Sequence, residues 1–506
     1  MSHFPTDNFI QDNLYSAETV QQLDAAAIKS MDGLAIRLMK RAGKAAFDEM
    51  LAVFGRPTLI TVFCGSGNNA GDGYVLAALA AQRRIPVQII ELGDIKKFSP
   101  ETKQARDFAL QAKVPTIPFD ASVKVDQGVI VDALLGIGCD GRLRDPYNKA
   151  VMVINDASLP VLAIDIPTGL NADTGAVIDI AVKADITVTF VGAKKGLFSG
   201  RGPALCGEIV YDSLDICDSL FENFRPDAQL MDLDNLMESF PQVEADVYKS
   251  QRGHCMIIGG DQGYGGAVAM AAESALRVGS GLTSVATQPQ HITAVLARCP
   301  EVMACGVISG QQLEPWLHRP STLVIGPGMG RSAWSEQLLQ KAVAAELPMV
   351  LDADALNILA QGVVVPAGKD YQWVLTPHAA EAARLLDVTV EEIQADRFAA
   401  VRQIQQKYNA VVLLKGSGTL IAGQDSVIKV CPYGNSAMAT AGTGDLLSGI
   451  IGGLIAQGMS LQIATELGCC LHSAAADMAV DALGSRGISA TDLLPYIRQL
   501  LNGEGL

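Results

Sequence analysis

Residues Thr440-Ala441-Gly442-Thr443-Gly444-Asp445-Leu446-Leu447-Ser448-Gly449 place two glycines and an acid at the head of an apolar run. That pattern predicts a helix whose first-turn N–H groups are unpaired and aimed outward, with the positive dipole end behind them: an anion site suited to phosphate. An acid beside such a site can take a proton from a substrate hydroxyl that attacks or accepts a phosphoryl group. Asp445 is therefore either that base or a helix N-cap next to a tight turn. Lys415-Gly416-Ser417-Gly418-Thr419 follows the apolar run Val411–Leu414 and lets backbone approach a nucleotide's sugar and phosphates closely. Gly326-Pro327-Gly328-Met329-Gly330 and Thr376-Pro377-His378-Ala379-Ala380-Glu381 read as further strand-end loops, in which His378 is equally an ordinary helix-start histidine. The chain contains no G-x-x-x-x-G-K-[ST], so it is not a P-loop protein.

The first half carries a different set. Gly65-Ser66-Gly67-Asn68-Asn69-Ala70-Gly71-Asp72-Gly73 opens a helix after Leu59–Cys64. Its backbone can wrap a phosphate while Asn and Asp oxygens stay free for a cation, or it is a turn-rich connection without a ligand. Asp132 and Asp165 each sit at the end of an apolar run. Gly136-Ile137-Gly138-Cys139-Asp140-Gly141-Arg142 matches G-x-G-x-x-G formally, but Leu143-Arg144-Asp145-Pro146 intervenes before any helix, so it is a poor dinucleotide signal.

These loops need a scaffold. The runs Thr58–Gly65, Val87–Leu92, Val129–Gly136, Val161–Asp165, Ile186–Gly192 and Glu208–Leu214 alternate with helical patterns. Their continuous hydrophobicity predicts parallel strands covered on both faces, a doubly wound sheet with ligands at the strand carboxyl ends. An opening amphipathic helix near Ser16–Ser30 buries Val20, Leu23 and Ala27. The pattern weakens after Asp215 and resumes at Gly253 with His254–Gly260, Leu282–Thr287, Thr322–Gly326, Met349–Asp352, Trp373–Thr376 and Val411–Lys415. Two α/β domains are expected, 1–224 and 225–506, as a length of 506 residues also suggests.

In this order the second-half loops resemble the ribokinase-like superfamily, and within it the ADP/ATP-dependent NAD(P)H-hydrate dehydratases. The likeness runs from Gly253–Gly260 and Gly265-Gly266-Ala267 through GPGMG, Leu351–Asn357, TPHxxE, KGSGT and AGTGD. It implies contacts to the hydrated cofactor from Ala267, Gly328, His378 and Asp445, and to the adenine nucleotide from Lys415, Gly416, Ser417, Gly418, Thr419 and Gly444. It also implies ADP or ATP as co-substrate, with Mg2+ accompanying it. GxGNNxGDG, VDALLGxG and AIDIPTGL are similar to the YjeF N-terminal family, a Rossmann-like fold whose enzymatic members are NAD(P)H-hydrate epimerases. That likeness implies substrate contacts from Asn68, Asn69, Ala70, Gly71 and Asp72, from Gly136 through Arg142 (Ile137, Gly138, Cys139, Asp140 and Gly141 included), and from Asp165, the expected acid/base. It implies a potassium ion at Asn69, Asp132 and Thr168, all oxygen donors. Ala70 stands where relatives usually carry Gly.

Composition narrows the partners. Lys+Arg 38 against Asp+Glu 54 gives a formal charge of -16, which repels nucleic-acid backbones. Ten cysteines without a C-x-x-C pair read as reduced thiols of a cytoplasmic protein. The N-terminus shows no signal-peptide pattern. Leu446–Thr465 is uncharged and has Gly449 and Gly453 at G-x-x-x-G spacing, but its interrupting polar residues favour a buried helix pair over a membrane span. The expectation is a homo-oligomeric, bifunctional repair enzyme acting on NADHX and NADPHX, with no nucleic-acid or membrane partner. The alternatives are a small-molecule kinase in the second half and a non-catalytic binding module in the first.

Overall fold

A computed structural model describes residues 12–138, 141–241, 246, 248–362, 364, 371–424 and 426–503. The chain divides into two compact units, Met1–Gln229 and Leu230–Leu506.

In the first unit, seven strands form one parallel sheet: β1 Ile60–Cys64, β2 Val87–Glu91, β3 Thr116–Pro118, β4 Val129–Ala133, β5 Val161–Ile164, β6 Ile186–Phe190 and β7 Glu208–Asp212. Their order is β3-β2-β1-β4-β5-β6-β7. Every residue of β1, β4, β5 and β6 is buried, which is why these runs are continuously apolar rather than alternating. The order reverses between β1 and β4, so a crevice opens at their carboxyl ends, where a doubly wound sheet takes its ligand. A short strand, Asn13–Tyr15, pairs with Ala193–Lys194 in parallel, Leu14 opposite Ala193 and Tyr15 opposite Lys194. That pairing lays the following helix, Ala17–Ser30, over the crevice; Ser16 caps it, and Val20, Leu23 and Ala27 are its buried residues.

The second unit repeats the principle. Its strands are β8 His254–Ile258, β9 Leu282–Thr287, β10 Met303–Gly306, β11 Thr322–Ile325, β12 Met349–Leu351, β13 Trp373–Leu375, β14 Val411–Leu414, β15 Leu420–Ala422 and β16 Ile428–Val430. The order is β10-β9-β8-β11-β12-β13-β14-β15-β16, with pairing parallel as far as β14 and antiparallel from there. The helix Thr443–Ala456 packs on the helix Gly265–Arg277, and a Cβ at Gly449 or Gly453 would collide with Ala271 or with Val278 and Ala275. The G-x-x-x-G spacing thus lets two helices of one core approach backbone to backbone. No helix of the described residues is long and apolar enough to cross a membrane. Cys64, Cys255, Cys469 and Cys470 are buried free thiols.

Candidate functional site

Three strand ends of the second unit, those of β12, β13 and β14, meet under the start of the helix Thr443–Ala456. Gly442, in the left-handed region at φ 92, caps that helix; a side chain there would be strained and would strike Met270. Among the described residues no side chain caps the helix, and its first-turn N–H groups lie outside the i→i−4 ladder. From the end of β14, Lys415 Nζ donates to Asp352 Oδ1 at 2.9 Å and lies 3.9 Å from Glu381 Oε2. Asp352, at the end of β12, also accepts from Thr376 Oγ1 at 2.8 Å. A Cβ at Gly444 would sit 3.5 Å from Lys415 Nζ and 3.9 Å from Asp352 Oδ2, so this pair lies directly under the helix start.

Electrostatics single out Asp445. Burial and the neighbouring Asp352 push its pKa up to about 7, Lys415 opposing and Asp354 adding. Burial likewise lifts Glu381 to about 7 against the pull of Lys415. Burial works against the Lys415 charge, but Asp352 and Glu381 outweigh it and hold the ammonium above its ordinary pKa. The arrangement supplies a carboxyl poised to exchange a proton near neutrality, a fixed cation and a set of free N–H groups.

In the first unit a cleft of about 590 Å³ opens at the crevice, lined among others by Asn68, Asn69, Asp72, Gly136, Ile137, Gly138, Asp165 and Lys194. Asp165 follows β5 with φ 68, an unusual backbone state for a residue with a side chain, which places its carboxyl at the cleft floor. Its Oδ1 accepts from the nearly inaccessible ammonium of Lys194 and from Phe190 N–H at 3.3 Å. Lys194 is itself anchored by Thr189 Oγ1 at 3.1 Å and the Phe190 carbonyl at 3.0 Å. Asp165 Oδ2 and the Asn69 side chain both face Gly136, where a Cβ would lie 3.9 Å from the former and 3.4 Å from Asn69 Cβ. Asp132 is fully buried; it accepts from Thr168 N at 2.8 Å, Thr168 Oγ1 at 2.8 Å and Leu134 N at 3.2 Å. Burial still raises it to about 6.

Residues 35–196 match the family model described as YjeF-related protein N-terminus, and residues 255–499 the model described as NAD(P)H-hydrate dehydratase. The chain is 44% identical to a bifunctional NAD(P)H-hydrate repair enzyme of Coxiella burnetii, over 97% of this chain and 99% of that one. It is 36% identical to its counterpart in Escherichia coli, over 98% and 95%. The chain belongs to the family of bifunctional NAD(P)H-hydrate repair enzymes. It joins an epimerase and a dehydratase, in that order. A crystal structure of a ribokinase-like superfamily protein from Enterococcus faecalis is also similar, 30% identical with a TM-score of 0.50, covering 55% of this chain and 97% of that one.

Within this family frame, the structure distributes the residues singled out in the sequence unevenly. Asn68, Asn69, Asp72, Gly136, Ile137, Gly138 and Asp165 line the cleft together. Ala70 and Gly71 turn into the packing instead: Ala70 is fully buried, and a Cβ at Gly71 would collide with Met39. Arg142 lies beside Asp179 at 3.6 Å on an exposed surface. Gly141 precedes it with φ 126, and Cys139 and Asp140 lie outside the described residues. In the second unit Gly328 sits against Ala267, 3.0 Å from its Cβ to a Cβ placed on the glycine. His378 is indeed a helix start: its Nδ1 accepts from Ala380 N at 3.1 Å, and its own N–H donates to Glu381 Oε2 at 2.8 Å. That puts the ring proton on Nε2, 3.2 Å from Glu381 Oε1.

Five residues are not marked by sequence pattern: Asp352 and Glu381, which hold Lys415, and Lys194, Asp24 and Arg397. Lys194 and Asp24 join Asp165 in the cleft. Arg397, 1% exposed, donates to the carbonyls of Leu414, Lys415 and Gly418 and so shapes the KGSG loop from beneath. A Cβ at Gly416, φ 149, would strike that guanidinium.

Proposed function

We propose that the first unit interconverts the R and S hydrates of NADH and NADPH at Asp165, and that the second dehydrates the S form with ADP or ATP at Asp445. When water adds to the enamine of a dihydronicotinamide, the proton goes to the carbon β to nitrogen and the hydroxyl to the carbon bonded to nitrogen. Hydroxide leaves that carbon poorly and phosphate leaves it well. Asp445 takes the hydroxyl proton as the oxygen attacks the terminal phosphorus, and the P–O bond to AMP (from ADP) or ADP (from ATP) breaks. The C–O bond then breaks with phosphate, the ring nitrogen donates its pair, and loss of the β-carbon proton restores the enamine. Lys415 and the first-turn N–H groups balance the phosphoryl charge; Gly416, Ser417, Gly418, Thr419 and Gly444 hold the nucleotide, and Ala267, Gly328 and His378 flank the hydrated ring. Mg2+ would arrive on the polyphosphate oxygens.

The observation that carries this reading is the position of Asp445, a carboxyl lifted to about 7 beside the Lys415–Asp352 pair at an uncapped helix start.

In the first unit potassium fits the donors present. Both side-chain polar atoms of Asn69 are buried without a partner among the described residues; the side chain packs against Gly136, and the preceding Leu135 is hydrogen-bonded to Thr168 of the Asp132–Thr168 pair. Asn69, Asp132 and Thr168 would hold the ion, which supplies fixed positive charge at the cleft floor. The reading places the chain in the cytosol, with the cofactor pools it would repair.

Incubation with mixed NADHX epimers and ADP or ATP tests it by the return of NADH absorbance. Full recovery is expected from the parent chain; recovery of the S fraction alone at early times is expected from Asp165→Asn. Accumulation of a phosphorylated product without NADH would make the second unit a kinase instead.

A further inference from the structure

Beyond Asp165, the cleft of the first unit holds a carboxyl that its two neighbours do not neutralise. The helix Ala17–Ser30 lies so close to the loop after β6 that a Cβ at Gly192 would touch Val20 at 3.1 Å and Leu23 at 3.2 Å. One turn beyond Val20, Asp24 faces the cleft together with Gln21 and Ile28. Charged groups there come from every side: Lys194 and Asp165 from the loops after β6 and β5, Asp72 from the helix Asn68–Gln82, and Lys97 and Glu101 at the rim. No hydrogen bond among the described residues ties the Asp24 carboxyl. Near the floor, three carboxyls therefore share the single ammonium of Lys194, and Lys194 is committed to Asp165.

We propose that Asp24 is the second proton carrier of the epimerisation, acting from the helix Ala17–Ser30 while Asp165 acts from the loop after β5; this rests on the epimerase reading above. Two such groups let the hydroxyl leave from one face and water add to the other without a proton being exchanged with solvent in between. In one direction the Asp24 carboxyl gives its proton to the ring hydroxyl. The C–O bond breaks with its electron pair on oxygen, the ring nitrogen's lone pair forms C=N, and water departs. Water then adds to the other face: a new C–O bond forms, the π pair returns to nitrogen, and Asp165 takes the water's proton. The hydroxyl has changed face and one proton has moved from Asp24 to Asp165, which readies the pair for the reverse passage. Lys194 stabilises whichever carboxyl is ionised. Burial lifts Asp24 to about 7, Lys194 opposing and Asp165 adding, and drives Asp72 well above the ordinary carboxylate range. A carboxyl protonated in neutral solution is what the donating role needs.

The test follows resolved R-NADHX by separating the epimers chromatographically at early times, with the uncatalysed interconversion subtracted, across a range of pH. The parent chain is expected to lose kcat/KM for this direction as pH rises through about 7, where Asp24 ionises. Asp24→Asn is expected to lower the rate about a hundredfold and to remove that limb. Asp24→Glu should restore part of the rate along with a shifted limb. Dehydration of S-NADHX with ADP by the same Asp24→Asn chain should be unchanged, which confines the loss to the first unit, and a melting transition of that unit no lower than the parent's reports that it is folded. A lowered rate with the limb still in place would make Asp24 merely structural and overturn the proposal, as would an undiminished rate. If Asp165→Asn is inactive in that case, the epimerase reading stands and only the role of Asp24 falls. If the parent chain itself adds nothing to the background, the reading and the proposal fall together.

Discussion

Lys415 Nζ sits 2.9 Å from Asp352 Oδ1, and a Cβ on Gly444 would come within 4 Å of that Nζ and of Asp352 Oδ2. The ammonium thus neutralises a carboxylate that is 1% exposed while remaining beside the helix start where phosphate would lie. Lys415→Met would leave Asp352 and the buried Glu381 uncompensated. Urea unfolding should show a loss of roughly 3 kcal/mol, and the KM for ADP or ATP should rise. Epimerisation by the other unit should be untouched at temperatures where both units remain folded.

Asp445 must be ionised to accept a proton, and its pKa is about 7. The dehydration rate should therefore climb as pH rises through about 7 and level off beyond, opposite in slope to the R-epimerisation limb assigned to Asp24. Asp445→Asn is expected to remove about 10²–10⁴ of the rate at the plateau, measured by NADH absorbance from S-NADHX. A parent rate that is flat across this range would detach Asp445 from the proton transfer.

The same shift has a cost in stability whose sign is fixed. A carboxyl whose folded pKa is raised from 3.8 to about 7 favours the folded state fully below the lower value, and that contribution is lost as pH rises to the upper one. Asparagine does not titrate. The melting temperature of Asp445→Asn relative to the parent should therefore rise steadily between those two pH values and stay constant above about 7. Scanning calorimetry at several pH values reads this directly, and a difference that falls with pH would contradict the burial of the ionised group.

What the sequence reveals of this molecule depends on how far each residue's role is local. Asp132, Asp165 and Lys415 are legible because each ends a continuous apolar run, and in each unit the parallel strands deliver their carboxyl ends to one crevice. Lys194 is not, since Ala193-Lys194-Lys195 offers two similar lysines, and only the pairing of Tyr15 with Lys194, nearly 180 positions away, buries one of them. Asp24 reads as a solvated position on an amphipathic helix, because periodicity identifies the buried Val20, Leu23 and Ala27 but not what lies across a cleft. Arg397 follows Asp396 at a helix start and has the look of a surface residue, yet three carbonyls of a distant loop enclose its guanidinium. Thr116–Pro118 and Met303–Gly306 are edge strands too short for any pattern to declare them. Ala70 and Gly71 show the converse: a motif of nine residues mixes those that line the cleft with those that let helices pack, and spacing alone does not separate them.

Asn69 allows the cation to be tested apart from the proton transfer. The residue is 7% exposed with its carboxamide atoms buried, and neither Oδ1 nor Nδ2 has a partner among the described residues, an arrangement that ordinarily costs about 1–3 kcal/mol per buried group. An ion held by Asn69, Asp132 and Thr168 would relieve that cost at the oxygen, so potassium should raise the melting temperature of the first unit in proportion to occupancy. Tetramethylammonium, too large for the site, should not. Epimerisation should fall when potassium is replaced in this way, while Asn69→Ala should be slow in either salt and show no potassium-dependent melting shift. Equal melting temperatures of the parent chain in the two salts at matched ionic strength would remove the ion from the site and leave the Asn69 amide to a substrate contact.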